Sequence, residues 1–366
     1  MPRFIATVGD CIEEFLVDKI VEDKSKEIHL QITELPEDIQ KVAETLLGEN
    51  LETRQKKIED LRLLLDNSKN DIDCEKSDGF LLRFLRARKF DLFKAFTLYC
   101  NYFAIRRNYS DIFKNFTSSS IEKVIRDTII TSLPFRDHKY RRIILFRMGK
   151  WNPDEISSSE IFKANIMIAE ELITNDPICQ VTGVVVLVDL EEFTWKHASQ
   201  ISSGNFARRA SHFLQDTTPI RIVEVHMVNE PIFFSHIFNI IKFHGDSIDS
   251  LHESVQPELI PNNISSLKGK GLPVPDNNLW KNLVELDFYW KKFEEYQISD
   301  KFVDKYSPNI IPIKLRSASM SFYQIDCLLV IMTRVRRLNQ LPMIVKMYMT
   351  KANFPVSMMQ IVDKRA

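Results

Sequence analysis

Asp189 is the residue best placed to do chemistry. It ends the apolar run Val184-Val185-Val186-Leu187-Val188, and α/β sheets gather their ligands at the carboxyl ends of the strands. A carboxylate there could act as a general acid or base, but fixing a loop or capping a helix is the commoner use of such an aspartate. The histidines offer less. His197 and His212, or His226 and His236, lack helix-face ligand spacing with carboxylates, so no metal site is indicated. Cys11, Cys74, Cys100, Cys179 and Cys327 are scattered, with no CxxC pair among them. Neither a zinc site nor a disulfide framework is expected, which favours a reducing compartment. The chain has no GxSxG elbow, P-loop, GxGxxG or HExxH. With no nucleophile, base and oxyanion site assembled, no catalytic residue is assigned and an enzyme is not expected.

The 366 residues exceed a typical domain, so two or more packed units are expected. Hydrophobic residues at 44% and charged residues at 27% are ordinary globular values. Lys+Arg 49 against Asp+Glu 50 leaves no basic excess for nucleic acid. Asp10, Glu13 and Glu14 fall where a signal peptide would be apolar, and no run is long and apolar enough for a membrane span. A cytoplasmic chain is the expectation. Its 25 Phe beside 9 Gly suggest a helical, phenylalanine-rich interior.

Periodicity supplies the elements that must hold these groups. Thr33-Glu34-Leu35-Pro36-Glu37 reads as a helix start, with proline and acids in the first turn. Ile39, Val42, Ala43, Leu46 and Leu47 follow at helical spacing, and Gly48 is the stop. Ile58, Leu61, Leu64 and Leu65 mark a second helix. Ser77-Asp78 reads as the cap of a third over 79–89, with Leu81, Phe84 and Leu85 on one face and Arg83 and Arg86 on another. Asp91 caps a fourth. Past residue 140 the period changes. Arg142–Arg147, Val184–Asp189 and Ile222–Val228 are β-branched runs of strand length. Helical patterns over 159–174 and 204–215 separate them, Asn229-Glu230-Pro231 opens another over 232–241, and 279–296 is helical again. Residues 246–275 read as loop. Strands alternating with helices imply right-handed βαβ units and a mostly parallel sheet. The expected class is α/β (α+β overall): 1–30 unassigned, a helical lobe over 31–120, an α/β lobe over 121–300, and an extension of unknown fold over 301–366. The apolar side chains facing the sheet read either as packed core or as the lining of a cavity for an apolar ligand.

Three segments together resemble the CRAL-TRIO lipid-binding family, especially its α-tocopherol transfer protein and retinaldehyde-binding branch. They are Asp78-Gly79-Phe80-Leu81-Leu82-Arg83-Phe84-Leu85-Arg86-Ala87-Arg88-Lys89-Phe90-Asp91, then Val186-Leu187-Val188-Asp189-Leu190-Glu191 with Glu192 in place of a glycine, then Phe213-Leu214-Gln215-Asp216-Thr217-Thr218-Pro219 followed by Val225-His226-Met227-Val228-Asn229-Glu230-Pro231. The resemblance covers roughly 33–296. It implies a helical lobe and an α/β lobe that holds a tocopherol- or retinoid-like lipid, exchanged at phosphoinositide-containing membranes on endosomal or plasma membrane surfaces. It implies no further cofactor, and a monomer.

Carried over by position, the pocket candidates are Phe162, Ile166, Val184, Val188, Ile201, Phe213, Leu214, Ile220 and Val225. Arg83, Arg221, Arg208 and Arg209 become phosphoinositide headgroup candidates, because a guanidinium fork matches phosphate. Phe233, Phe234 and Phe238 become gate and membrane contacts. Besides Glu192, the chain departs from the family at three places. Val223 stands where a second basic residue is usual, and Asn262-Asn263 follow Pro261 in place of a Gly-Gly. Ile241 runs straight into Lys242-Phe243-His244-Gly245, where the family has a Lys-Pro-Phe-Leu turn and a basic helix, about three turns more. A more open pocket with faster ligand exchange is the expected result. A phosphoinositide-reading adaptor without lipid cargo, or an isoform impaired in ligand retention, is the alternative.

Overall fold

Proline, acids and glycine set the first helix as their spacing predicts. The computed structural model describes residues 32, 34–67, 72–201, 209, 210, 213, 217–230 and 241–306. Helix α1 (Glu37–Leu47) begins after Pro36 and stops at Gly48, whose left-handed φ of 70° turns the chain. Asn50 caps α2 (Leu51–Asp66) by accepting from the Glu52 amide. A short strand β1 (Ile72–Asp73) leads to α3 (Asp78–Ala87). This helix departs from its two-faced reading, because every residue from Phe80 to Ala87 is buried, both arginines included. Its expected cap also differs: Ser77 makes no side-chain cap bond, and Asp78 pairs with Arg62.

Asp91 does cap α4 (Leu92–Asn108), accepting from the Lys94 amide. Helices α3 and α4 meet through Phe80, Phe84, Tyr99, Tyr102 and Phe103, with centroids 4.9 Å apart for Tyr99–Phe103 and 6.0 Å for Phe80–Phe103. Three of the 25 phenylalanines sit in that cluster. Its edge-to-face pairs, such as Phe84–Tyr102 at 5.3 Å, add about 0.5–1.5 kcal/mol each beyond area burial.

Two short helices, α5 (Ser110–Phe113) and α6 (Glu122–Arg126), lead into the sheet. Its strands are β2 (Ile130–Arg136), β3 (Arg142–Arg147), β4 (Val184–Asp189), β5 (Ile222–Val228) and β6 (Ile241–Phe243), in the spatial order β2-β3-β4-β5-β6. Strand β2 is antiparallel to β3, and the other neighbours are parallel. Three of these strands are expected from the sequence and two are not. Pro134 hides β2, and an edge is where a sheet tolerates proline. Strand β6 is only three residues long, and its Ile241, expected as a helix end, pairs with Val225.

Helix α7 (Ser158–Asn175) opens on a capping box between Ser157 and Glu160. Helix α8 (Pro177–Thr182) carries Val181, against which α1 lays Ile39, Ala43 and Leu47. After β4 comes α9 (Trp195–Ile201). Of the helix expected over 204–215, Arg209, Ala210 and Phe213 are helical, and the rest lies outside the described residues. So does 232–240 of the next expected helix. Residues 246–275, expected as loop, contain α10 (Ile248–Ser254) and two short 3-10 turns. Helix α11 (Asn277–Lys291) follows, then β7 (Gln297–Ile298), which pairs antiparallel with β1, and α12 (Asp300–Tyr306).

Period-two alternation sorts the sheet into two faces. Ile144 of β3, Val184, Val186 and Val188 of β4, and Val225 and Met227 of β5 turn to the side covered by α7, in one core continuous with α2, α3, α4 and α11. Ile143, Leu145, Val185, Leu187 and Val228 turn to the other side, against Ile248 and Leu251 of α10 and Ile260, Ile264 and Leu267 beyond it.

Candidate functional site

The apolar face of the sheet is the candidate ligand surface. Phe162 and Ile166 of α7, Val184 and Val188 of β4, Ile201 at the end of α9, Phe213 and Val225 of β5 are all buried in one hydrophobic cluster, and Ile220 packs half-buried against it. Leu214 lies outside the described residues. These side chains come from α7, α9, two strands and the segment before β5, yet they converge. The i, i+4 spacing of Phe162 and Ile166 puts both on the sheet side of α7.

Several further residues belong to this surface. Tyr109 follows α4 and Phe113 ends α5, and their rings approach Phe213 at 5.5 and 5.9 Å, while Phe162 approaches it at 5.8 Å. The N-terminal helices therefore wall one side of the site. Phe146 of β3, Phe193 and Phe243 of β6 pack on the same cluster. For Phe146 the signal is present in the alternation of Arg142–Arg147. For Tyr109 and Phe113 no sequence pattern points across the lobe boundary.

Asp189 holds loops together. It accepts from the Glu191 amide at 3.0 Å, from Asn229 Nδ2 at 2.8 Å and from Ser266 Oγ at 2.9 Å. One carboxylate thereby ties the ends of β4 and β5 to the 3-10 turn over Ser265–Leu267. Three residues on, Glu192 stands in the left-handed region at φ 62°, the conformation for which a glycine is suited. Among the described residues, no group of three His, Cys, Asp or Glu could hold a metal ion.

The four arginines expected to meet a headgroup separate sharply. Arg83 is 1% exposed, lies over the Phe80 ring, donates to Tyr289 Oη at 3.3 Å and faces Glu170 Oε2 at 3.7 Å. Burial alone would lower its pKa, but Tyr289, Tyr102 and Glu170 outweigh that and raise it. The structure places this guanidinium in an internal ion pair with Glu170. Arg209 is taken by Asp111 at 2.7 Å and Ser159 Oγ at 3.0 Å. Burial alone would raise Asp111, but Ser159 and Arg209 hold its carboxyl below the usual range. Arg208 lies outside the described residues, as do Phe233, Phe234 and Phe238. Arg221 remains. It precedes β5 beside Gly183, half-buried, with Nη1 lacking a hydrogen-bond partner, and burial lowers its pKa.

Comparison with known proteins agrees with this architecture. The CRAL/TRIO domain model matches residues 126–264, and the model of the CRAL/TRIO N-terminal domain matches residues 37–101. The chain is 31% identical to clavesin-2 of Mus musculus over 296 residues, 76% of this chain and 88% of that protein. It is 32% identical to clavesin-1 of Pongo abelii over 272 residues, 70% of this chain and 75% of that protein. To an alpha-tocopherol transfer protein-like protein of Pongo abelii it is 32% identical over 252 residues, 65% of this chain and 73% of that protein. With both halves of the family matched in order, and with the helical lobe and five-stranded sheet in place, the chain belongs to the CRAL-TRIO lipid-binding family.

Proposed function

We propose that this protein carries one small hydrophobic lipid, of tocopherol or retinoid size, on the apolar face between α7 and the sheet, and exchanges it at membranes that contain phosphoinositides. The observation that carries the reading is the convergence of Phe162, Ile166, Val184, Val188, Ile201, Phe213, Ile220 and Val225 on one face. Burying apolar area there gains about 25 cal/mol per Å², so such a ligand binds with few polar contacts. The similarity to an alpha-tocopherol transfer protein-like relative supports the ligand class. Of the headgroup candidates among the described residues, Arg83 and Arg209 sit in ion pairs with Glu170 and Asp111, so Arg221, whose Nη1 has no hydrogen-bond partner, takes the phosphate-facing role. Phe233, Phe234 and Phe238 supply apolar side chains for peripheral contact with the bilayer surface.

Organic extraction of the purified protein, followed by mass identification, tests the carrier. A stoichiometric isoprenoid or similar lipid is expected. Its absence, together with no uptake of a fluorescent tocopherol analogue, rejects the carrier and leaves the phosphoinositide adaptor. That adaptor reading draws on the short connection between β5 and β6. Arg221→Ala tests the membrane half: binding to vesicles containing phosphatidylinositol bisphosphate should fall several-fold at low salt while analogue uptake persists. Unchanged vesicle binding removes Arg221 from that role.

A further inference from the structure

The opposite side of β5 and β6 carries a chain of four polar groups that the ligand surface does not use. Glu224 and His226 lie on β5, His244 follows β6, and Ser250 stands in the first turn of α10. His226 Nε2 is 3.3 Å from Glu224 Oε2, His226 Nδ1 is 3.0 Å from His244 Nε2, and His244 Nδ1 is 2.9 Å from Ser250 Oγ. The imidazole planes lie within 13° of one another, with centroids 5.3 Å apart, so the rings meet end to end. Both are buried.

Glu224 dictates where the protons sit. Arg141 reaches it at 2.9 Å, Lys242 at 3.6 Å and Lys139 at 3.9 Å. Burial alone would raise its pKa, but Arg141, Lys242 and His226 bring it down to about 2. It is therefore ionised at neutral and mildly acid pH and can only accept. His226 must donate from Nε2, which leaves its Nδ1 to accept. His244 then donates from Nε2, and the Ser250 hydroxyl donates to His244 Nδ1. The chain is complete with both imidazoles neutral.

We propose that this neutral histidine pair is an acid-sensitive clasp holding edge strand β6 on β5, and that protonation frees β6 and withdraws Phe243 from the apolar face. The consequence for a ligand rests on the carrier reading. The clasp itself does not. Strand β6 pairs with β5 through only three residues, so side-chain bonds supply a large share of what holds it. One added proton enters at His244 Nδ1, and the Ser250 hydroxyl turns to accept from it. A second, at His226 Nδ1, sets two N–H groups against each other at the 3.0 Å contact and breaks it. The surroundings disfavour both. Lys242 on β6 repels the pair, Glu224 on β5 is already matched by Arg141 from the start of β3, and Glu253 on α10 offers partial relief to His244.

Burial lowers the pKa of both histidines, that of His226 to about 4. The attached state thus binds fewer protons than the detached one. The clasp is whole above pH ~6.5 and weakens as pH falls toward about 4. For His226 alone, that shift favours detachment roughly 30-fold more at pH 5 than at pH 7.5.

Amide hydrogen exchange of the ligand-free full chain reads this directly. Amides of residues 242–245, corrected for the intrinsic pH effect, should open roughly 30-fold more at pH 5 than at pH 7.5, while those of β2 stay protected. His226→Asn keeps an acceptor toward His244 and should lose most of the acid response. His244→Gln keeps the donor toward His226 and serves where the first variant does not fold. An equal rise in β2 and β6, or an undiminished acid response in a folded variant, overturns the clasp. Release of a fluorescent tocopherol analogue, followed in parallel, should accelerate with the opening. Opening without faster release leaves the clasp standing and counts against the ligand surface that places Phe243 on it.

Discussion

Gly149 shows how much one missing side chain can decide. A Cβ there would stand 1.8 Å from the Glu191 carbonyl oxygen and 2.8 Å from two further backbone atoms, so the loop after β3 and the turn after β4 approach too closely here for any side chain. Gly149→Ala must push these backbones apart and should destabilise the fold by about 3 kcal/mol or more, measured by urea unfolding. A loss within a few tenths would show that the two turns do not need each other. The adjoining Glu192 is the converse case, because its φ of 62° asks for glycine. Glu192→Gly should raise the melting temperature despite losing the exposed pair with Lys150. Both the departure at Glu192 and the loop-fixing use of Asp189 are legible in the sequence, because each depends on local chain geometry. The fate of Arg83 is not. Helical spacing tells which residues share a face, not that a second lobe covers that face as well.

Helix α3 is the element where this blindness is greatest. Arg86, one turn beyond Arg83, donates from Nε and Nη2 to the two carboxylate oxygens of Glu49 at 2.8 Å each, and from Nη1 to Gln180 of α8 at 2.9 Å. Arg83 meets Glu170 of α7. Two buried ion pairs thus fasten α3 between the helical lobe and the α/β lobe. Removing one partner of such a pair leaves an uncompensated buried charge, which costs about 3–5 kcal/mol. Glu49→Gln should lose that much in denaturant unfolding, and Glu49→Leu combined with Arg86→Met should recover most of it. Equal losses in the single and double variants would mean that the site needs polarity, not charge balance. Among strands, β4 is plain in the sequence because it is buried on both faces and reads as unbroken valine and leucine. Strands β2 and β6 are not, since proline at an edge and a three-residue length both erase the period-two signal on which a strand is recognised.

At the scale of the whole molecule, the distinguishing feature is the connection from β5 to β6. Strand β5 ends at Val228 and β6 begins at Ile241, which leaves residues 229–240, twelve in all. A parallel crossover needs about a dozen residues merely to return to the starting edge. This chain is at that lower limit, and its Ile241 is drawn into the ladder as the first residue of β6. A crossover with no residues to spare covers less of an apolar face than one with roughly three more helical turns. Each apolar side chain laid on a ligand contributes about 1.5–3 kcal/mol, so losing even one should speed release at least tenfold. Inserting a Lys-Pro-Phe-Leu turn and a basic amphipathic helix between Ile240 and Ile241 should therefore slow release of a fluorescent tocopherol analogue by at least that factor at pH 7.5, where the histidine pair is neutral. Release as fast as in the parent chain would mean that the described walls, α7 and the rings of Tyr109, Phe113 and Phe213, retain the ligand by themselves. The short crossover would then have no bearing on exchange.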